Sequence, residues 1–408
     1  MLSQFFNPVV GGEERMVEVL GRELVARGHD VCVATLEQEG AAEHEVIEGI
    51  RVHRVGSLTG RARWLYTEAV RRHVPPAPDP LVVSGLRGIV AAERPDVVHA
   101  HNWLVYSFLP FRKACNAPLI LSLHDYGLVC VTKRLMNEKR PCTGPAPVKC
   151  ARCAAQHYSP VKGVSTVLLH RASASFLARA VDLYLPVSNA VAERSGLRRA
   201  GLRYEVIPNF VVPRDEDLAL SPDSALLEQL PTEPFALFVG DVSTDKGVHV
   251  LLEAHAALSG DVPLVVIGRR VTPGLDDSRG PKRFLGPASH RVVFEAMRRS
   301  AMVVVPSIWP DPFPLVALEA AAAGRPVIAA RSGGLVEMVV DGETGLLVSA
   351  GDARALAGAM QRLFGDPELR AMMGQAGARR IERLFSPSRI VPRFEQAYRS
   401  QSTEAAGR

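Results

Sequence analysis

Two carboxylates, Asp311 and Glu319, stand eight residues apart around a proline-rich loop and the alanine-rich segment that follows it. The segment opens with Phe313, Pro314, Leu315 and Val316, and Leu315, Leu318 and Ala322 fall at helical spacing. Gly324 and Pro326 stop it, so a helix over residues 313–323 is expected. The N–H groups of Phe313, Leu315 and Val316 would then point outward at a helix start, where unsatisfied donors and the helix dipole favour a phosphate. A carboxylate on each side of a phosphate site suits a sugar nucleotide, whose hydroxyls can donate to both. Lys246 precedes Gly247 and a second helix start at Val248, a place from which a cation can neutralise a diphosphate. Two apolar strands end in histidines, His99 within 95–101 and His124 after 119–123, which points to a shared crevice.

Four further residues suggest a metal. Cys130, Cys142, Cys150 and Cys153 are spaced C-x11-C-x7-C-x2-C in a stretch heavy with Pro, Gly, Lys and Arg. Four thiolates can surround a tetrahedral Zn²⁺, and a loop poor in apolar residues gains from such a staple. A structural zinc is expected; free thiols, an iron–sulfur cluster and a redox pair are the alternatives. Cys32 and Cys115 lie in apolar settings and read as core residues.

The elements that must position these groups repeat one plan. Residues 3–9 read as the end of a short strand, Gly11-Gly12 as the turn, 13–27 as a helix and 31–35 as the next buried strand. Glycines at that turn allow the backbone to approach a ligand closely. Residues 235–240, the loop 241–247 and a helix from Val248 repeat strand, loop and helix, so two similar Rossmann-like halves are expected. The polar, proline-punctuated stretch 213–234 reads as the linker. Residues 301–305 form the strand that feeds Asp311, and the last nine residues read as a disordered tail.

A chain of 408 residues exceeds what one hydrophobic core usually serves. No run of about 18 apolar residues suggests a membrane span, and the N-terminus lacks the basic and apolar regions of a signal peptide. A cytoplasmic location follows as the expectation, and six cysteines there argue against a disulfide framework. Charge is uneven: residues 1–205 hold 26 Lys+Arg against 19 Asp+Glu, and the remainder 22 against 24. A basic N-terminal half fits an anionic partner, either a phosphorylated acceptor or the inner face of the cell membrane, or else a solvated face. Arg61, Arg63, Trp64, Tyr66, Arg71 and Arg72 would make the peripheral lipid contact. No nucleic-acid partner is expected.

The run Asp-Pro-Phe-Pro-Leu-Val-Ala-Leu-Glu, followed by Ala-Ala-Gly-Arg-Pro-Val-Ile and by Gly333-Gly334-Leu335-Val336-Glu337, resembles the E-x7-E region of the GT-B retaining glycosyltransferases of family 4. The resemblance extends from about Phe5 to about Phe385 in the family's order. It implies an α/β GT-B fold, two Rossmann-like domains facing a central cleft, with a C-terminal helix crossing back to the N-terminal domain. The domains would be 1–205 on the acceptor side, including the four-cysteine loop 130–153, then 206–385 for the nucleotide sugar, and 386–408 for the crossover helix and tail. It also implies that Gly11 and Gly12 face the donor phosphates and acceptor, that His124 binds the 6-hydroxyl of the reacting sugar, and that Phe284 belongs to a short strand covering the base. The pattern departs from the family twice: Asp311 stands where a Glu is usual, and Asp241 where an arginine usually helps hold the phosphates. Arg269 or Arg270, at the end of the next strand, is expected to supply the missing cation.

The resulting expectation is a retaining, metal-independent hexosyltransferase, with no cofactor needed for catalysis. A UDP- or GDP-sugar would be the donor, and a glycan, a lipid-linked molecule or a small molecule the acceptor. Glu319 would bind the ribose, Asp311 a sugar hydroxyl, and Lys246 the departing diphosphate. A sugar-nucleotide epimerase and a non-catalytic nucleotide-sugar-binding protein of the same fold are the alternatives.

Overall fold

The computed structural model describes residues 1–9, 11–61, 74–138, 140–212, 224–275 and 280–406. Of the cationic and aromatic stretch expected at a membrane, only Arg61 falls among them. The chain divides into two compact units, the first made of 1–135, 142–208 and 390–408, the second of 136–141 and 209–389.

Unit 1 begins as a strand of minimal length. Leu2 bridges in parallel to Ala34 on one side and to Ala100 on the other, and Phe5 and Phe6 beyond it are buried without strand pairing. The strand expected at 3–9 is therefore displaced to Leu2. Helix α1 (Gly12–Ala26) follows, then β1 (Cys32–Leu36), β2 (His44–Ile47) and β3 (Ile50–Val55), with the short α2 (Leu58–Arg61) and α3 (Pro80–Glu93). Asp79 caps α3 by accepting the N–H groups of Leu81 and Val82, with Pro80 in the first turn. Strand β4 (Val98–Ala100), the single turn α4 (Val105–Phe108) and β5 (Leu119–Leu123) come next. A small hairpin that belongs to unit 2, β6 (Met136–Asn137) and β7 (Arg140–Pro141), interrupts this run before the helices α5 (Pro147–His157) and α6 (Pro160–Ala180). Cys150 and Cys153 thus lie on a helix rather than in a loop, because Pro147 starts a helical turn before them. Strand β8 (Leu183–Pro186) and helix α7 (Asn189–Arg194) complete this run. The two three-stranded sheets, β1-β3-β2 and β4-β5-β8, meet across Leu2. Strand order reverses there, and in open α/β sheets that is where ligands bind.

Unit 2 carries one fully parallel sheet in the order β11-β10-β9-β12-β13-β14. Its strands are β9 (Ala236–Val239), β10 (Leu264–Ile267), β11 (Lys282–Gly286), β12 (Met302–Val305), β13 (Val327–Ala330) and β14 (Gly345–Val348). Helices α8 (Val248–Ala256), α9 (His290–Arg299), α10 (Leu315–Ala322), α11 (Leu335–Met338), α12 (Ala353–Gly365) and α13 (Pro367–Leu384) connect and cover them. The central strands read as near-continuous Val, Ile, Leu and Met because both faces are covered. Order reverses between β9 and β12, so the loops after these two strands define the crevice. They are the loops that carry Lys246 and Asp311.

The last helix, α14 (Pro387–Ala406), starts in unit 2 and packs from Ile390 onward into unit 1. Tyr398 bonds His99, Arg393 bonds Glu205, and Glu395 pairs with His29. The tail expected to be disordered stays helical through Ala406, since Gln401 is buried and Glu404 pairs with Arg203. Tyr204, close to the boundary expected at 206, makes a single parallel bridge to Tyr184.

Candidate active site

Helix α10 starts at Leu315, two residues later than expected, because Pro312 and Pro314 deny their preceding residues helical backbone. Phe313 is accordingly buried, its ring against Phe385, and its carbonyl accepts from Asn209. Leu315 and Val316 open the first turn, and Glu319 lies one turn further along the same helix. Glu319 is buried and meets His290 at the start of α9, Oε1 to Nε2 at 3.0 Å. The sequence pairs neither residue with the other, since 29 positions and an intervening strand separate them.

The Asp311 carboxylate is only 5 % exposed and is held by three donors on Oδ2: Lys246 Nζ at 2.6 Å, the Trp309 indole N–H at 3.1 Å and the Ser307 hydroxyl at 3.3 Å. The Lys246 ammonium also lies 5.1 Å over the Trp309 ring while its side chain stays 30 % exposed. The Oδ2 of Asp311 therefore orients Lys246. Two glycines make this approach feasible. Gly247 has φ +74°, and a Cβ there would fall 1.9 Å from the Pro306 carbonyl oxygen. Gly333 has φ +56°, and its Cβ would fall 2.1 Å from the Asp311 carbonyl oxygen. Trp309 and Ser307 gave no sign of this role in the sequence beyond sitting near Asp311.

Asp241 does not stand alone. Arg269 donates from Nε to Oδ1 at 3.3 Å and from a terminal nitrogen to Oδ2 at 3.2 Å, on an exposed surface. The acid at the position where the family usually has arginine is thus neutralised by one of the two cations expected to replace it. Arg270 lies with its guanidinium 5.9 Å over the Phe284 ring, and Phe284 packs on the core of unit 2.

In unit 1, Gly11 caps α1 in extended backbone and Gly12 is its first residue. A cavity beyond β4 and β5 is lined in part by His101, Asn102, Trp103, His124, Asp125 and Lys133. His124 Nε2 lies 3.0 Å from His101 Nδ1, and burial pushes the His124 imidazole down to about 4, so it is neutral at neutral pH. Its Nδ1 and the Nε2 of His101 are buried without hydrogen-bond partners. His99 is a structural histidine instead, with both ring nitrogens used at 2.8 Å, by Tyr398 and Ser122. Asn102 donates to Glu13 at the start of α1, and burial pushes the Glu13 carboxyl up to about 8 despite the opposing charge of Lys133. Asp125 accepts the Gly127 N–H and pairs with Lys133 at 3.5 Å. Glu13 and its neighbours carried no readable signal, being one of many acids on a helix.

The parallel sheet of unit 2, whose strand order reverses at the loops carrying Lys246 and Asp311, and the mostly parallel sheets of unit 1 are those of a GT-B fold. The family model described as glycosyl transferases group 1 matches residues 227–380, and that described as glycosyl transferase 4-like domain matches 11–210. The chain belongs to this family, the group 1 or family 4 glycosyltransferases. It is 28% identical to the glycogen synthase of Mycobacterium tuberculosis over 423 aligned positions, covering 98% of this chain and 93% of that one. Among solved structures, sucrose-phosphate synthase from Thermosynechococcus elongatus superposes with a TM-score of 0.71 at 25% identity, covering 96% of this chain and 94% of that one. Anabaena HepE, solved in complex with UDP-glucose, shares the fold at 20% identity, with a TM-score of 0.69 and 98% of each chain covered. Among the described residues, no helix is long and apolar enough to cross a membrane.

Proposed function

We propose that this glycosyltransferase is a retaining, metal-independent hexosyltransferase that uses a nucleotide sugar held by unit 2. The observation that carries the reading is the Lys246–Asp311 pair at the β9 and β12 loop ends, beside the first turn of α10. Lys246 and the amides of Leu315 and Val316 offset charge on the departing diphosphate, the work a divalent cation does in other transferases. Glu319, oriented by His290, accepts from the ribose hydroxyls. Arg269 adds a second cation once it turns from Asp241, and Phe284 borders the base. Retention fits same-face attack assisted by the leaving phosphate, because no described carboxylate stands out as a covalent nucleophile.

The acceptor side of the reading belongs to unit 1. Gly11 and Gly12 bring backbone to the ligand, and the unpartnered Nδ1 of neutral His124 is offered to a sugar hydroxyl. HepE was solved with UDP-glucose, which makes UDP-sugars the first donors to try, with GDP- and ADP-sugars beside them. The acceptor is a glycan, a lipid-linked molecule or a small molecule, and the basic N-terminal half suits a membrane-peripheral or phosphorylated one.

The test is a panel of UDP-, GDP- and ADP-hexoses with EDTA present, read by nucleotide release and by proton NMR of the anomeric signal. Release insensitive to chelator, with the donor's anomeric configuration kept in the product, is expected. Inversion of the anomer, or activity only with added metal, would overturn the reading. Conversion of the donor to an epimeric nucleotide sugar would favour the epimerase.

A further inference from the structure

The four cysteines that follow β5 are not among the residues assigned to sugar transfer above, and none of them is a core residue: Cys130, Cys142, Cys150 and Cys153 are all half-buried and outside any disulfide. They come from three separate local structures. Cys130 closes a turn, its N–H on the Tyr126 carbonyl at 2.9 Å, and Cys142 follows the hairpin strand β7. Cys150 and Cys153 lie three residues apart, on one face of the first turns of α5. Despite these separate origins the three structures are joined: the Tyr158 hydroxyl at the end of α5 donates to the Val131 carbonyl at 2.7 Å, and the Cys142 N–H donates to the Leu135 carbonyl at 2.6 Å. The Cys150 sulfur also accepts the Ala146 N–H at 3.3 Å. Residues 130–153 contain six Lys and Arg, at 133, 134, 139, 140, 149 and 152, against one acid, Glu138. Such a shell suits a centre of net negative charge, as four thiolates on one divalent ion would be.

A different trio has the tighter geometry. Cys32, His53 and Glu93 bring ligand atoms within 4.8 Å of one another, the one such set among the described residues. Arg51 holds Glu93 through three contacts of 2.7 to 3.3 Å, so a guanidinium already fills the place beside that carboxylate. Zn–S bonds of about 2.3 Å set tetrahedral sulfurs about 3.8 Å apart, so binding must draw these four closer together. The segment 142–146 that joins two of the elements contains Gly144 at φ +118°, with no atom within 4 Å of where a Cβ would be.

We propose that Cys130, Cys142, Cys150 and Cys153 bind one Zn²⁺ as a closed structural site. The ion fastens the segment after His124-Asp125 to the start of α5. Within that segment Lys133, whose N–H donates to the Cys130 carbonyl, pairs with Asp125 and lies 4.7 Å over Trp103, two lining residues of the unit 1 cavity. Zinc there sets the shape of that cavity's wall without touching the donor.

The experiment is elemental analysis of the full-length protein purified without chelator, with Co²⁺ uptake by the metal-stripped, reduced protein. One zinc per chain is expected, and Co²⁺ should give thiolate charge-transfer bands together with the visible bands of tetrahedral cobalt. Cys150→Ser and Cys153→Ser should lose the metal, while Cys32→Ser and Cys115→Ser keep it. Zinc at full occupancy in Cys153→Ser would overturn the assignment. So would stoichiometric iron with broad visible absorption, a disulfide among the four in the mass spectrum, or absence of both zinc and Co²⁺ uptake in the wild type. The Co²⁺ spectrum of the wild type decides the matter even if the variants fold poorly.

Discussion

Replacing Lys246 by Met tests whether its charge, aimed by Asp311, does the electrostatic work of transfer. Met keeps most of the stem that lies against Trp309 and removes only the ammonium. At a separation of about 4 Å and an effective dielectric of about 20, an ammonium and one phosphate charge attract by about 4 kcal/mol. Removing a single preorganised donor from other active sites costs about 2.7–4 kcal/mol, so kcat should fall about 10²- to 10³-fold. Asp311→Asn keeps the shape but loses the charge that fixes the Lys246 ammonium at 2.6 Å. If Asp311 acts through Lys246, its replacement should cost about tenfold in kcat/KM in the wild type and almost nothing in the Lys246→Met background. The cycle then yields a coupling of about 1.4 kcal/mol. Folding stability gives a second reading. Lys246→Met alone strands a buried carboxylate on Trp309 and Ser307 and should destabilise by about 1–3 kcal/mol in urea unfolding, with partial recovery in the double variant. An equal fall in kcat/KM on Asp311→Asn in both backgrounds would refute this coupling, because the carboxylate would then be contacting substrate itself.

Three further outcomes follow from the geometry. Arg269→Ala should weaken donor binding about 3- to 10-fold in calorimetry, and Asp241→Asn should strengthen it by freeing Arg269; equal loss in both would show that the pair is needed intact. Glu13 has its carboxyl raised to about 8, so it binds a proton more tightly in the folded chain than in the unfolded one. It therefore contributes stability present below pH 4.5 and lost as pH rises to about 8; Glu13→Gln should flatten urea midpoints across that window, and an unchanged slope would contradict the assignment. Gly333→Ala should destabilise by more than about 1 kcal/mol, since it combines φ +56° with a clash at the Asp311 carbonyl, and a neutral thermal melt would contradict the loop geometry.

Much of unit 2 was legible because its signals are local. The apolar strand, the Pro-Asp-Pro loop and the alanine-rich helix occur in one run, and Lys246-Gly247 marks its own helix start. What the sequence hid are pairings over distance. Lys246 and Asp311 are 65 positions apart, and nothing in either segment says that one carboxylate will be consumed in aiming the other segment's cation. Arg269 could be proposed as a replacement for the missing arginine, but its partner Asp241 required the fold, which sets the ends of β9 and β10 side by side. The first strand was misplaced for a different reason. Phe5 and Phe6 are more apolar than Leu2's surroundings, and periodicity cannot tell burial in a turn from burial in a ladder. The polar tail read as disorder because its contacts, Gln401 in the interior and Glu404 on Arg203, lie on a distant part of unit 1.

Lys246 and Glu319 are the residues through which unit 2 is proposed to hold a nucleotide sugar. Calorimetric titration of UDP-, GDP- and ADP-glucose into the wild type, Lys246→Met and Glu319→Ala, all in EDTA, tests this assignment most directly. Saturable one-to-one binding of one nucleotide sugar by the wild type is expected, weakened at least about tenfold in each variant while circular dichroism is unchanged. Binding of equal strength in all three proteins, or none of the three sugars binding the wild type, would contradict it.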